Sequence, residues 1–149
     1  MEVLDIVKIK PPQKVARLLN IKEGKEVILV KRLRSENNIT VSYIKNYLPI
    51  EIGERIKKED LYVYSMLHTL RNQLGIPIKS GIQYVEAIVA DYDTASALSI
   101  ALSSPILYLE TIIFDSRKKP IEFSQTFYRP DLFRFAVKLN FKRIKKQRV

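Results

Sequence analysis

Residues 120–135, PIEFSQTFYRPDLFRF, alternate apolar and polar side chains as far as Tyr128 and then break at Arg129, Pro130 and Asp131. A period of two is that of an extended strand, and it places Glu122, Ser124, Thr126 and Tyr128 together on one face. The Arg-Pro-Asp triplet ends the strand in a turn. A strand that commits a whole face to polar groups either borders solvent or lines a site.

The rest of the chain divides into similar short runs. Residues 2–10 alternate and are closed by Pro11 and Pro12, which predicts a short first strand. Val15, Leu18 and Leu19 recur at helical spacing within residues 13–20, and the turn around Gly24 follows. Residues 26–35 and 39–48 are rich in Val, Ile and Leu and are linked by Glu36, Asn37 and Asn38, which predicts a β-hairpin. Residues 49–60 are charged and irregular. Met66, Leu67, Leu70 and Leu74 mark a helix over residues 65–74, with Gly75 as its C-cap. Residues 78–90 and 106–114 read as strands, and residues 93–100 between them as a short helix capped by Asp91 or Asp93. Alternation resumes over residues 135–141, the expected last strand. About six extended segments and three irregularly placed helices define an α+β class with a largely antiparallel sheet.

At 149 residues the chain is one domain. Its apolar runs are too short to span a bilayer, and the N-terminus lacks a secretory pattern, so a cytoplasmic protein without a membrane partner is expected. With no cysteine and a single histidine, His68, thiolate chemistry, disulfides and the common zinc sites are excluded, and no metal or cofactor is expected. The net charge of +10 points to anionic partners. Part of it is a terminal run, Lys142, Arg143, Lys145, Lys146 and Arg148, which is either a solvated end or a nucleic-acid arm.

Three groups of residues are candidates for chemistry. Arg32 and Arg34 lie two apart in one strand and share a face; two guanidinium forks there could hold a phosphate or carboxylate, or could merely solubilise an edge strand. Ser65 precedes the apolar period of its helix and is an N-cap whose neighbouring amides could receive an anion. Glu122, Ser124 and Tyr128 offer a carboxylate, a hydroxyl and a phenol for directional hydrogen bonds to a polar ligand. His68 falls on the polar side of its helix and reads as a surface residue. No catalytic triad, paired-carboxylate or phosphate-loop spacing is present, so no catalytic residue is assigned.

The order of these segments resembles the UTRA effector domain of GntR-type bacterial transcription regulators, in the HutC-like branch. The resemblance is carried by residues 15–21 before a Gly turn, the Lys31-Arg32-Leu33-Arg34 strand, and Asn46-Tyr47-Leu48-Pro49. It continues through Asp60-Leu61, Ser65-Met66-Leu67 and Gly75-Ile76. It closes with residues 105–110, Pro120 to Ser124, Tyr128-Arg129-Pro130-Asp131 and Phe133-Arg134-Phe135. The family resemblance implies a chorismate lyase-like fold spanning residues 1–149, with residues 1–12 as linker and first strand. It also implies a homodimer that binds a small effector, phosphorylated or carboxylated, and reaches operator DNA only through a winged helix-turn-helix that this chain lacks. Carried over residue by residue, it places the ligand on Arg32, Arg34, Ser65, Glu122 and Tyr128. Two positions depart from sugar-phosphate members, Ile44 where several are acidic and Leu67 where a polar helix contact is usual. The alternative implied by the shared fold is a chorismate lyase-like enzyme acting on a small carboxylate; a non-enzymatic sensor is the expectation.

Overall fold

Asn37 and Asn38 both adopt left-handed backbone, with φ of 49° and 61°, and this two-residue turn pairs Glu36 with Ile39. Asn tolerates that region because its short amide can bond locally, so the first hairpin is fixed in register by its turn. The hairpin joins β2 (Val27–Glu36) to β3 (Ile39–Pro49). The computed structural model describes residues 1–142. Its other strands are β1 (Glu2–Ile9), β4 (Ile78–Val89), β5 (Pro105–Asp115) and β6 (Pro120–Tyr128). All pairings are antiparallel, and the six strands run in the order β1-β2-β3-β6-β5-β4.

Two meanders, β1-β2-β3 and β4-β5-β6, therefore meet along the β3–β6 seam, where Asn46 lies opposite Ser124 and Ser42 opposite Tyr128. The turn before β6 is held by Asp115, whose carboxylate accepts from the amides of Arg117 (2.8 Å) and Lys119 (2.9 Å).

Helices cover both faces. On one, α2 (Ile50–Gly53), α3 (Asp60–Val63) and α4 (Met66–His68) bury Ile52, Leu61 and Met66 against Ile28, Val30 and Leu48. On the other, α1 (Gln13–Leu18) packs with Val27, Leu29, Tyr47 and Phe123. Beside it α5 (Tyr92–Leu98) places Ala95 and Leu98 on Tyr43, Tyr108 and Phe127. Asp91 is the cap of α5, accepting from the Thr94 amide at 2.8 Å. No helix among the described residues is long and apolar enough to cross a membrane.

The structure differs from the sequence reading in three places. The helix expected over residues 65–74 is α-helical only through His68 and continues as a π-helical turn, Thr69–Gln73, after which Gly75 takes a φ of 67°. Residues 49–60, read as irregular, contain α2 and lead into α3. The last strand expected over residues 135–141 does not form: Phe135, Val137, Leu139 and Phe141 are 38%, 64%, 68% and 87% exposed with no strand beside them. Alternation makes a strand possible, but a strand needs a partner ladder. Of the basic terminal run only Lys142 is described; the others lie outside the described residues.

Gly53 sets how closely α2 approaches the sheet. A Cβ there would stand 2.4 Å from Ile28 Cγ1. Gly53→Ala is therefore expected to destabilise the fold by about 1–3 kcal/mol through overpacking, read as a lower urea midpoint with unchanged m-value.

Candidate functional site

Arg32 points from β2 into the face covered by α3 and α4, and only 2% of it is exposed. Its Nη1 donates to the carbonyls of Leu61 (3.3 Å) and Tyr64 (3.1 Å), while Nη2 donates to Asn46 Oδ1 (3.1 Å). Asn46 in turn donates through Nδ2 to Glu122 Oε1 at 2.6 Å. The amide thus stands between a buried cation and a buried carboxyl and bonds to each. Burial lowers the pKa of Arg32, opposed by the charge of Glu122. Burial pushes the Glu122 carboxyl up to about 7, outweighing the Asn46 hydrogen bond and the Arg32 charge that favour the anion.

Strand geometry explains the convergence. Arg32 and Arg34 alternate onto one face of β2, Ser42 and Asn46 onto the same face of β3, and Glu122, Ser124 and Tyr128 onto that of β6. Ser65 follows Tyr64, whose carbonyl Arg32 grips, and is itself exposed. The Ser65 hydroxyl caps α4 by accepting from the His68 amide at 3.1 Å. His68 stacks on Tyr64 with ring centroids 4.3 Å apart and approaches Asn72 at 3.0 Å, a structural placement on the surface of α4.

Arg34 is placed differently from Arg32. It is half-exposed and ion-paired with Glu36, and its charge favours the phenolate of Tyr128, whose pKa burial nonetheless raises. Tyr128 stacks on Phe133 with centroids 3.8 Å apart, so the segment after β6 folds back over it. The two arginines share a face, but one is built into the core and the other lies at its rim.

Two buried polar atoms on this face have no hydrogen-bond partner: Arg32 Nε and Ser42 Oγ. Ser42 lies cross-strand between Arg34 and Tyr128. Neither Ser42 nor Asn46 was among the sequence candidates, although the polar positions 42 and 46 of β3, four apart, put both on the Arg32 face. Two open clefts, about 850 and 780 Å³, lie away from this face beside the α1–β2 turn, around Lys10, Lys22 and Lys25.

A six-stranded sheet with this seam is the fold of ligand-binding domains of GntR-family regulators. The domain from Bordetella bronchiseptica superposes with a TM-score of 0.84 at 20% identity, covering 93% of this chain and 89% of that one. A transcriptional regulator from Streptomyces coelicolor gives 0.88 at 26% identity, covering 95% and 93%. Residues 1–134 match the UTRA domain model, and the chain belongs to that family. By sequence it is 26% identical over 139 residues to the HTH-type transcriptional regulator YydK of Bacillus subtilis, covering 93% of this chain and 58% of that protein. It is 28% identical over 128 residues to the HTH-type regulator GgaR of Escherichia coli K12, covering 86% and 50%. The chain thus spans little more than half the length of these relatives.

A carboxyl at about 7 in the fold, against 4.5 when unfolded, makes the folded state hold the extra proton between those values. Stability should therefore fall as pH rises from about 4.5 to about 7, by on the order of 3 kcal/mol in total. Glu122→Gln should flatten that part of the pH–stability profile measured by urea unfolding, and a slope equal to that of the parent chain would contradict the burial of an ionising Glu122.

Proposed function

We propose that the chain is the effector-sensing domain of a GntR-type transcription regulator, binding a small phosphorylated or carboxylated metabolite. The observation that carries this is the pair of unsatisfied buried donors, Arg32 Nε and Ser42 Oγ, on the sheet face shared with Glu122 and Tyr128. Folded proteins leave few buried polar atoms without partners, and an acceptor-rich ligand supplies what these two lack.

In this reading Arg32 and the Ser65 turn hold the anion, Arg34 closes on it from the rim, and Glu122 and Tyr128 read the remainder of the molecule. Entry requires the Leu61–Ser65 segment to yield some of its hold on Arg32, which couples occupancy to the position of α3 and α4. The relatives carry HTH-type names. Occupancy would accordingly bias how two DNA-binding units of a homodimer are placed on an operator, to the extent that the ligand prefers one arrangement. In this reading the protein is a cytoplasmic binding module, which the regulator names of its relatives support.

A thermal-shift screen over sugar phosphates, amino acids and organic acids tests the reading. A true effector at a hundred times its Kd stabilises the fold by about 2.7 kcal/mol. Arg34→Ala combined with Tyr128→Phe spares the Arg32 network and is expected to weaken that shift strongly while leaving the unliganded melting temperature within a few degrees. An equal shift in the double variant would refute the site.

A further inference from the structure

Among the described residues β4 is an edge strand paired with β5 alone, and apart from Ile78 and Ile88, which pack on the core clusters, its side chains are exposed. It exposes Ile82 (46%), Tyr84 (54%), Val85 (42%) and Val89 (65%) beside an unpaired row of backbone donors and acceptors. Such an edge is a template for another strand. The opposite edge, β1, is protected by Glu2, Asp5 and Lys8. Elsewhere in the same chain, residues 135–141 carry a strand pattern with no strand to pair with.

The two fit each other. Set antiparallel with Lys138 opposite Glu86, the segment brings Val137 against Ala87, Leu139 against Val85 and Phe135 against Val89. Phe135, Val137 and Leu139 then meet apolar residues on one face of β4, Phe141 follows on that face opposite Gln83, and the lysine of the segment meets the glutamate of the strand. A shift of one residue in either direction would put Lys138 against an apolar neighbour and turn the apolar row to the other face.

Within one copy both elements are present and remain apart. The turn at Arg129, in which the Phe133 amide reaches the Arg129 carbonyl at 3.0 Å, and the stack of Phe133 on Tyr128 fix where the segment leaves the sheet. We propose that residues 135–141 add to the β4 edge of a second copy, each copy donating its segment to the other. A two-fold exchange uses both edges and both segments and closes at a dimer. The inference rests on the homodimer reading and specifies its interface.

The test is sedimentation or light scattering of the full chain at matched ionic strength, with circular dichroism to confirm folding. Glu86→Lys or Lys138→Glu alone should each weaken dimerisation by about fivefold, and the two together should restore it. Val137→Asp with Leu139→Asp should give a folded monomer. A parent chain that is monomeric at high micromolar concentration overturns both the interface and the dimer reading. A dimer indifferent to these substitutions overturns the interface alone. The effector reading is judged separately by whether a ligand still stabilises the monomeric variant.

Discussion

The guanidinium of Arg32 ties the two layers of one face together. Its three hydrogen bonds join β2 to β3, to the Leu61 carbonyl within α3 and to the Tyr64 carbonyl between α3 and α4. Taking a cation out of water costs several kcal/mol, and hydrogen bonds to a charged group return roughly 1.5–3 kcal/mol each. The balance is close to even, and an apolar side chain of similar volume would cement the same contact with less desolvation. Stability therefore does not account for a charge at this position. Under the proposed function, recognition of an anionic ligand would account for it, since such a ligand needs a fixed cation and Arg32 Nε is still without a partner.

The topology makes that position matter. Arg32, Arg34, Ser42 and Asn46 belong to the first meander; Glu122 and Tyr128 belong to the second. The halves touch at the β3–β6 seam, and Asn46 carries the hydrogen-bond chain across it to Glu122. A ligand seated on this face would bridge two units that are far apart in sequence. The helices α1 and α5 pack across both units, and the seam lies beneath the α2–α4 cover on the other face, so a change there has α3 and α4 and the end of β6 as its neighbours.

Much of the sheet was legible because its information is local. Period-two alternation marked β1 and β6, runs rich in Val, Ile and Leu marked β2 and β3, the Glu36-Asn37-Asn38 link marked the hairpin between them, and Asp91 or Asp93 announced the start of α5. What failed depends on partners. Residues 135–141 have the alternation of a strand, yet alternation does not say which edge will receive it. The helix over residues 65–74 has a clear apolar period, but Leu74 donates to the carbonyl of Thr69, five residues back, and that extra residue per turn leaves no mark in the pattern. The candidate residues were legible as sharers of a strand face and not as a network. The Arg-x-Arg spacing placed both arginines on one face, but only the α3–α4 cover makes Arg32 buried and leaves Arg34 at the rim. Asn46 and Ser42 matter through that cover as well, which no spacing within β3 reveals.

The cover over Arg32 also decides what kind of switch the face can be. Leu61 and Met66 anchor it in the apolar cluster, whereas Tyr62, Val63 and Ser65 between them are exposed. Segments with few buried contacts open at lower free energy than the core they border, so the Tyr62–Ser65 stretch is the part of this face that can exchange its carbonyls for another acceptor. Of the two carbonyls on Arg32 only that of Tyr64 lies in this stretch, and an anion competing there would replace it by a charged oxygen, charge-assisted hydrogen bonds being the stronger kind. The gain that remains after that carbonyl is rehydrated limits what such a ligand can spend on moving the cover. A neutral ligand of the same shape would compete with the carbonyl on equal terms, and would bind without moving the cover.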